Sequence, residues 1–153
     1  MAYCQVAHDC RIGNGVIMAN ATQIAGHCTV EDFAILGGVT TIHQFVRIGT
    51  RAITGASTRV QMDIPPYMMA DGHPAALFGL NTIGLDRAGF SEEAKRSLKE
   101  AYKALFMRGR YAEALDELEA GQAKLFPEVA NLCRFLRSSS RGVTRARKRA
   151  SGA

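Results

Sequence analysis

Aliphatic side chains recur at every sixth place along the first sixty residues. Val6, Ile12, Met18, Ile24, Val30, Leu36, Ile42, Ile48 and Val60 fall in this register, and only Thr54 interrupts it. The residue after each is mostly small (Ala7, Gly13, Ala19, Ala25, Gly37, Gly49, Gly55). The fifth place of each block is small or β-branched, as in Cys10, Val16, Thr22, Cys28, Ala34, Thr40 and Val46. Such a period matches neither the helical repeat of about 3.6 nor the plain alternation of a strand. It predicts a solenoid of short strands separated by turns, with the aliphatic residue inward and the small residue permitting the bend. Three blocks per triangular coil stack residues eighteen apart, giving inward columns Val6–Ile24–Ile42–Val60, Ile12–Val30–Ile48 and Met18–Leu36–Thr54. An ordinary sandwich would instead space its strands irregularly, roughly 8–12 residues apart.

Pro65-Pro66 removes two backbone donors, so the solenoid is expected to span residues 1–66, about ten hexapeptides, and to stop there. Residues 67–90, punctuated by Gly and Pro, read as an irregular arm. Helical spacing then returns over residues 91–140. Ser91 is an N-cap followed by Glu92 and Glu93, which suit the positive end of a helix dipole. Ala94, Leu98, Tyr102 and Leu105 share one face; a second helix carries Tyr111, Leu115 and Leu118 and ends near Gly121. A third opens on Pro127 and stripes Val129, Leu132, Cys133 and Leu136. Residues 141–153 have no periodicity and read as a basic disordered tail.

That tail changes the meaning of the charge. The 153-residue chain is 47% hydrophobic and carries a net +5, with a pI near 9.3. Arg141, Arg145, Arg147, Lys148 and Arg149 supply the whole excess, so charge alone does not support a nucleic-acid-binding face. No apolar run has membrane-spanning length and no export signal opens the chain, so a cytoplasmic protein is the expectation. The four cysteines show no CxxC pairing and read as small buried hydrophobes.

The segments VAHDCRIG (6–13), IAGHCTVEDFAILGGVTTIHQFVRIG (24–49), DIPPYMMADGHPA (63–75) and FGLNTIGLDRAGFS (78–91), in this order before a helical end, resemble the UDP-N-acetylglucosamine O-acyltransferases of lipid A synthesis. These are hexapeptide-repeat acyltransferases. The resemblance covers residues 5–140 and corresponds to the C-terminal part of the family's chain, which carries further hexapeptide coils before the AHDC segment. It implies a left-handed parallel β-helix followed by a small three-helix region. It also implies transfer of a (R)-3-hydroxyacyl group from acyl carrier protein to the 3-hydroxyl of UDP-N-acetylglucosamine. The acyl donor rides on the carrier's phosphopantetheine, no other cofactor or metal is needed, and the assembly is a homotrimer with active sites between subunits.

Site residues follow from the same resemblance. His8 matches the general base, a role that suits an imidazole because its ordinary pKa lies near neutrality. Asp9 matches the acid that orients it, although neighbours on a strand point to opposite faces unless a turn intervenes. Gly26 matches the backbone donor to the oxyanion and is equally a turn glycine of the solenoid. His27 and His43 match histidines near the donor and sugar pockets, and Gln44 a side chain offered to the sugar nucleotide. Asn81 and Arg87 match ligand-holding residues of the arm, with the Arg87 guanidinium suited to phosphate. Gln5 stands where one common form of the family has histidine at the sugar. Ala56 occupies the place that measures acyl length. Two other readings compete. One is a zinc enzyme of the gamma-carbonic-anhydrase type ligated by His8, His27 and His43. The other is a non-catalytic trimeric binding module.

Overall fold

The computed structural model describes residues 1–148 and folds the first half into a parallel β-solenoid. Its first coil holds β1 (Gln5–Val6), β2 (Arg11–Ile12) and β3 (Ile17–Met18). The second holds β4 (Gln23–Ile24), β5 (Thr29–Val30) and β6 (Ile35–Leu36), and the third β7 (Thr41–Ile42), β8 (Arg47–Ile48) and β9 (Ile53–Thr54). The strands stack in register, Val6 on Ile24 on Ile42 on Val60 of β10 (Arg59–Val60), so the eighteen-residue columns are real. Ile24, Val30, Leu36, Ile42, Ile48 and Val60 are buried inside the prism. The architecture is the parallel β-helix followed by helices that the sequence pattern implied, left-handed as the family resemblance implied.

The corners explain why a short period can close a coil. From Tyr3 to Ser57 every sixth residue has φ between 55° and 65°. Only one of these, Gly15, is glycine, although the left-handed region costs an ordinary residue about 1–2 kcal/mol. Ladder bonds through the same residues offset it: the His27 N–H donates to the His8 carbonyl at 3.0 Å, and Phe33, Phe45 and Arg51 repeat the pattern one coil on. The fifth places form an inner polar ladder. Cys10 Sγ donates to Ala25 O at 3.1 Å, Cys28 Sγ to His43 O at 3.0 Å and Thr58 Oγ1 to Gly55 O at 2.7 Å. Thr54, the exception in the inward column, is buried with its hydroxyl 3.0 Å from that of Thr40 and accepting from the Gly37 N–H at 3.1 Å. Its polarity is satisfied inside the prism.

Three expectations are corrected. The solenoid does not stop at Pro65-Pro66: Ile64 bridges Ile48, and β11 (Met68–Gly72) stacks on β9 with Ala70 beside Thr54, completing a fourth coil. The prolines occupy a corner, where their missing donors are not needed, and Pro66 packs against Gly49. The arm is not irregular either. β11 turns back into β12 (Ala75–Leu80) as an antiparallel hairpin, and α1 (Thr82–Arg87) follows. Finally, the tail is ordered as far as residue 148. Val143 bridges Asp63, Ala146 bridges Leu77 and Thr144 is buried, so the segment lies along the fourth coil and then β12. Residues 149–153, the rest of the expected disordered tail, lie outside the described residues.

Helices α2 (Glu92–Phe106), α3 (Tyr111–Ala120), α4 (Gln122–Leu125) and α5 (Pro127–Arg137) pack beyond the hairpin. Ser91 Oγ accepts from the Ala94 N–H at 3.1 Å, capping α2. The stripes of α2 and α5 through Leu98, Leu105, Val129, Leu132 and Leu136 join the same apolar core as the solenoid. The expected three-helix region thus holds four helices, the one-turn α4 having had no counterpart in the sequence pattern.

Candidate functional site

The corner after the first face, where β1 leads into β2, carries most of the sequence-predicted residues. Stacking eighteen apart puts His8, Gly26 and Gln44 at one turn position and Asp9, His27 and Phe45 at the next. The left-handed φ of 59° at Asp9 turns its side chain back toward its neighbour, and His8 Nδ1 lies 2.9 Å from Asp9 Oδ2. The doubt raised by strand alternation is thereby resolved, since the pair sits on a turn. His27 Nε2 lies 3.8 Å from the same carboxylate oxygen. The His8 and His27 rings meet edge to face with centroids 5.0 Å apart, and His27 stacks on Phe45 at 5.0 Å and 13°. The His8 hydrogen bond, followed by the charge of His27, holds the Asp9 carboxyl below its ordinary value.

Gly26 lies beneath the His8 ring. A Cβ there would come within 2.8 Å of His8 Cε1 and 2.9 Å of Nε2. The glycine therefore lets the imidazole close over the backbone, and among the described residues its N–H has no acceptor. His43 and Gln44 are exposed on the third coil, with His43 Nδ1 at 3.3 Å from the Gln44 carbonyl. Gln5 is exposed on β1, the face leading into this corner. A neighbouring cavity of about 600 Å³ is lined by His43, Phe45, Arg59, Gln61, Met62 and Arg141. Arg59 and Arg141 were not singled out in the sequence; Arg141 is brought here when its Nε donates to Gln61 O at 2.7 Å. Phe45 was missed as well, although the eighteen-residue register aligns it with His27.

The other predicted residues lie on other edges. Asn81 is buried at the second corner, where its Oδ1 caps α1 by accepting from the Gly84 N–H at 3.2 Å and its Nδ2 donates to Arg51 O at 2.9 Å. Each end of its amide makes one bond within the chain. Arg87 ends α1 on the same side, exposed. Ala56 sits exposed at the third corner, next in the stack after Gly38. The zinc ligand set is corrected too: among the described residues the groups close enough to share an ion are His8, Asp9 and His27, and His43 is not among them.

The family model described as Udp N-acetylglucosamine O-acyltransferase; Domain 2 matches residues 63–144, more than half the chain. The chain belongs to this family. It is 48% identical over 151 residues to the acyl-[acyl-carrier-protein]–UDP-N-acetylglucosamine O-acyltransferase of Thiobacillus denitrificans, with 95% of this chain and 56% of that protein covered. The Verminephrobacter eiseniae protein of the same name is 43% identical, with 95% and 57% covered. Among solved structures, the UDP-N-acetylglucosamine acyltransferase of Francisella novicida superposes with a TM-score of 0.91 at 34% identity, covering 95% of this chain and 53% of that one. That of Arabidopsis gives 0.86 at 39% identity, covering 92% and 52%. The chain therefore spans about half the length of the family members it matches. No helix among the described residues is long and apolar enough to cross a membrane.

Proposed function

We propose that this chain supplies the catalytic corner of an acyltransferase that moves a (R)-3-hydroxyacyl group from acyl carrier protein to the 3-hydroxyl of UDP-N-acetylglucosamine, the opening step of lipid A synthesis. The supporting observation is the His8–Asp9 pair, 2.9 Å apart on a solvent-facing turn, with Gly26 directly under the imidazole. Asp9 accepts from Nδ1–H and so fixes the tautomer that leaves a lone pair on Nε2. Nε2 takes the sugar hydroxyl's proton as its oxygen attacks the thioester carbonyl. The Gly26 N–H faces the developing oxyanion, and the imidazolium returns the proton to the departing thiolate. His27, His43, Gln44 and Gln5 are the groups placed to hold the two substrates.

The working unit of this proposal is a homotrimer. Its support is the spread of residues over one prism: His8 and its neighbours lie on one edge, Arg87 on a second and Ala56 on a third. A single pocket that uses all three edges needs more than one copy of the chain.

Transfer from (R)-3-hydroxyacyl carrier protein to UDP-N-acetylglucosamine, measured for the chain and for His8→Ala, tests the base. The expected loss is about 10²–10⁴-fold with unchanged thermal stability, because the His8 side chain is 73% exposed. Equal rates would remove His8 from the mechanism.

A further inference from the structure

Two imidazoles and a carboxylate converge on the corner that carries the base. The separations from Asp9 Oδ2 are 2.9 Å to His8 Nδ1 and 3.8 Å to His27 Nε2. An ion bound tetrahedrally at about 2.0–2.1 Å needs ligand atoms roughly 3.3 Å apart, between the two values found. Independent contacts orient each ligand. A left-handed turn aims Asp9, the Phe45 ring fixes the plane of His27, and Gly26 leaves room for His8. All three side chains are open to solvent, so an ion needs no rearrangement of the fold to enter.

Building on the reading of His8 as the base, we propose that His8, Asp9 and His27 form a binding site for a divalent transition metal, zinc by its nitrogen–oxygen ligand set, and that occupation switches the base off. A neutral imidazole has one N–H and one lone pair. If the metal takes Nδ1, the proton that Asp9 held there moves to Nε2. If it takes Nε2, the lone pair is occupied directly. Either way no lone pair remains at Nε2 for the sugar hydroxyl, and in the first case no proton leaves the protein. The free and metal-bound corners are thus two tautomeric or ligation states of one side chain, one competent and one silent.

Titration of zinc chloride into the full chain by calorimetry tests the site without reference to turnover. One zinc per chain is expected, and Asp9→Asn and His27→Asn each weaken binding by about tenfold or more. Asn tolerates the left-handed backbone at both positions, which keeps the corner folded. Cys4→Ser/Cys10→Ser, which removes the two half-buried thiols, retains binding. Absence of binding, or binding indifferent to Asp9→Asn and His27→Asn, overturns the site. Nitrogen-15 spectra of His8 then read the switch: zinc abolishes the signature of an unprotonated, unligated Nε2, and transfer falls in step with occupancy and returns on addition of EDTA. An Nε2 that stays free, or transfer unchanged at full occupancy, overturns the switch. Zinc bound at this corner in a chain that transfers no acyl group rejects the proposed activity and sustains the metal site.

Discussion

Replacing Gly26 by alanine separates the proposed oxyanion donation from the room the glycine leaves for His8. The substitution keeps the backbone N–H, so a residue acting only as an oxyanion donor is unaffected. The added methyl, however, arrives 2.8 Å from His8 Cε1 and 2.9 Å from Nε2. Ordinary contact is about 3.5 Å or more, so the ring must retreat by about 0.7 Å. That retreat is energetically cheap, because the His8 side chain is 73% exposed and has solvent to move into. Gly26 does not occupy the left-handed region, so alanine brings no backbone strain there. Stability should therefore change by less than about 1 kcal/mol, with the lower entropy of the unfolded alanine chain working in its favour. With His8 as the proposed base, transfer is less tolerant, since a reacting group displaced by about 1 Å costs on the order of 10²-fold. The expected result is a fall in transfer of about 10–100-fold with an unchanged melting temperature. In a His8→Ala background the same substitution is expected to be silent, because no ring remains to displace. An unchanged rate, a large fall in melting temperature, or an equal loss in the His8→Ala background would refute the reasoning.

Asp9 is held low chiefly by its hydrogen bond to His8 and then by the charge of His27. A lowered carboxyl stabilises the folded corner above its unfolded value near ~3.9 and loses that contribution as pH falls through the lower folded value. In His8→Ala the Asp9 midpoint, followed by carbon-13 NMR, should rise; an unmoved midpoint would show that the pair does not form. Burial pushes the Cys28 thiol up to about 11. Whatever stability it lends is complete below the ordinary thiol value near ~8.5 and fades as pH rises toward the folded value. At pH 8 iodoacetamide should label half-buried Cys4 and Cys10 before Cys28, which should react only on unfolding; mass spectrometry of the peptides decides. Asn81→Ala removes the cap of α1 and a bond to Arg51 O, so it should destabilise by about 1–2 kcal/mol. Calorimetry should then show a fall of about 2–8 °C, whereas a residue reserved for ligand would leave the melting temperature alone.

The solenoid was legible because its period is written in side chains that all meet the same geometric demand. Each inward place is aliphatic and stacks on the residue eighteen before it, and Thr54 deviates with its hydroxyl satisfied by Thr40 and the Gly37 N–H. The corners were harder to read. Asp9, His27, Phe45 and Arg51 share a left-handed conformation that ordinarily marks glycine or asparagine, so composition hid a backbone rule repeated at every turn. The fourth coil was obscured for a related reason. It steps from Ile48 to Ile64 and from Thr54 to Ala70, two residues short of the usual advance, and its prolines fall at a corner and not inside a strand. Hydrophobic periodicity cannot see the partners of the last segment either. Residues 142–147 hold their place through backbone bonds, such as Asp63 N–H to Gly142 O at 2.9 Å and Leu77 N–H to Arg145 O at 2.9 Å. Of the site, the motif AHDC revealed His8 and Asp9, whereas Arg59 and Arg141 became neighbours only through the docking of that segment.

The short fourth coil also limits growth of the stack. A stack of parallel rungs is an open template, and any chain offering a matching rung could extend it into a filament. Here the final turn is out of phase with its predecessors, and the molecule covers it with its own later residues. The guanidinium of Arg141 meets the carbonyl of Gln61, the backbone around Val143 pairs with Asp63, and β12 lies antiparallel along β11. Each of the three ladders thus ends on a contact from the same polypeptide, which guards this end against polymerisation.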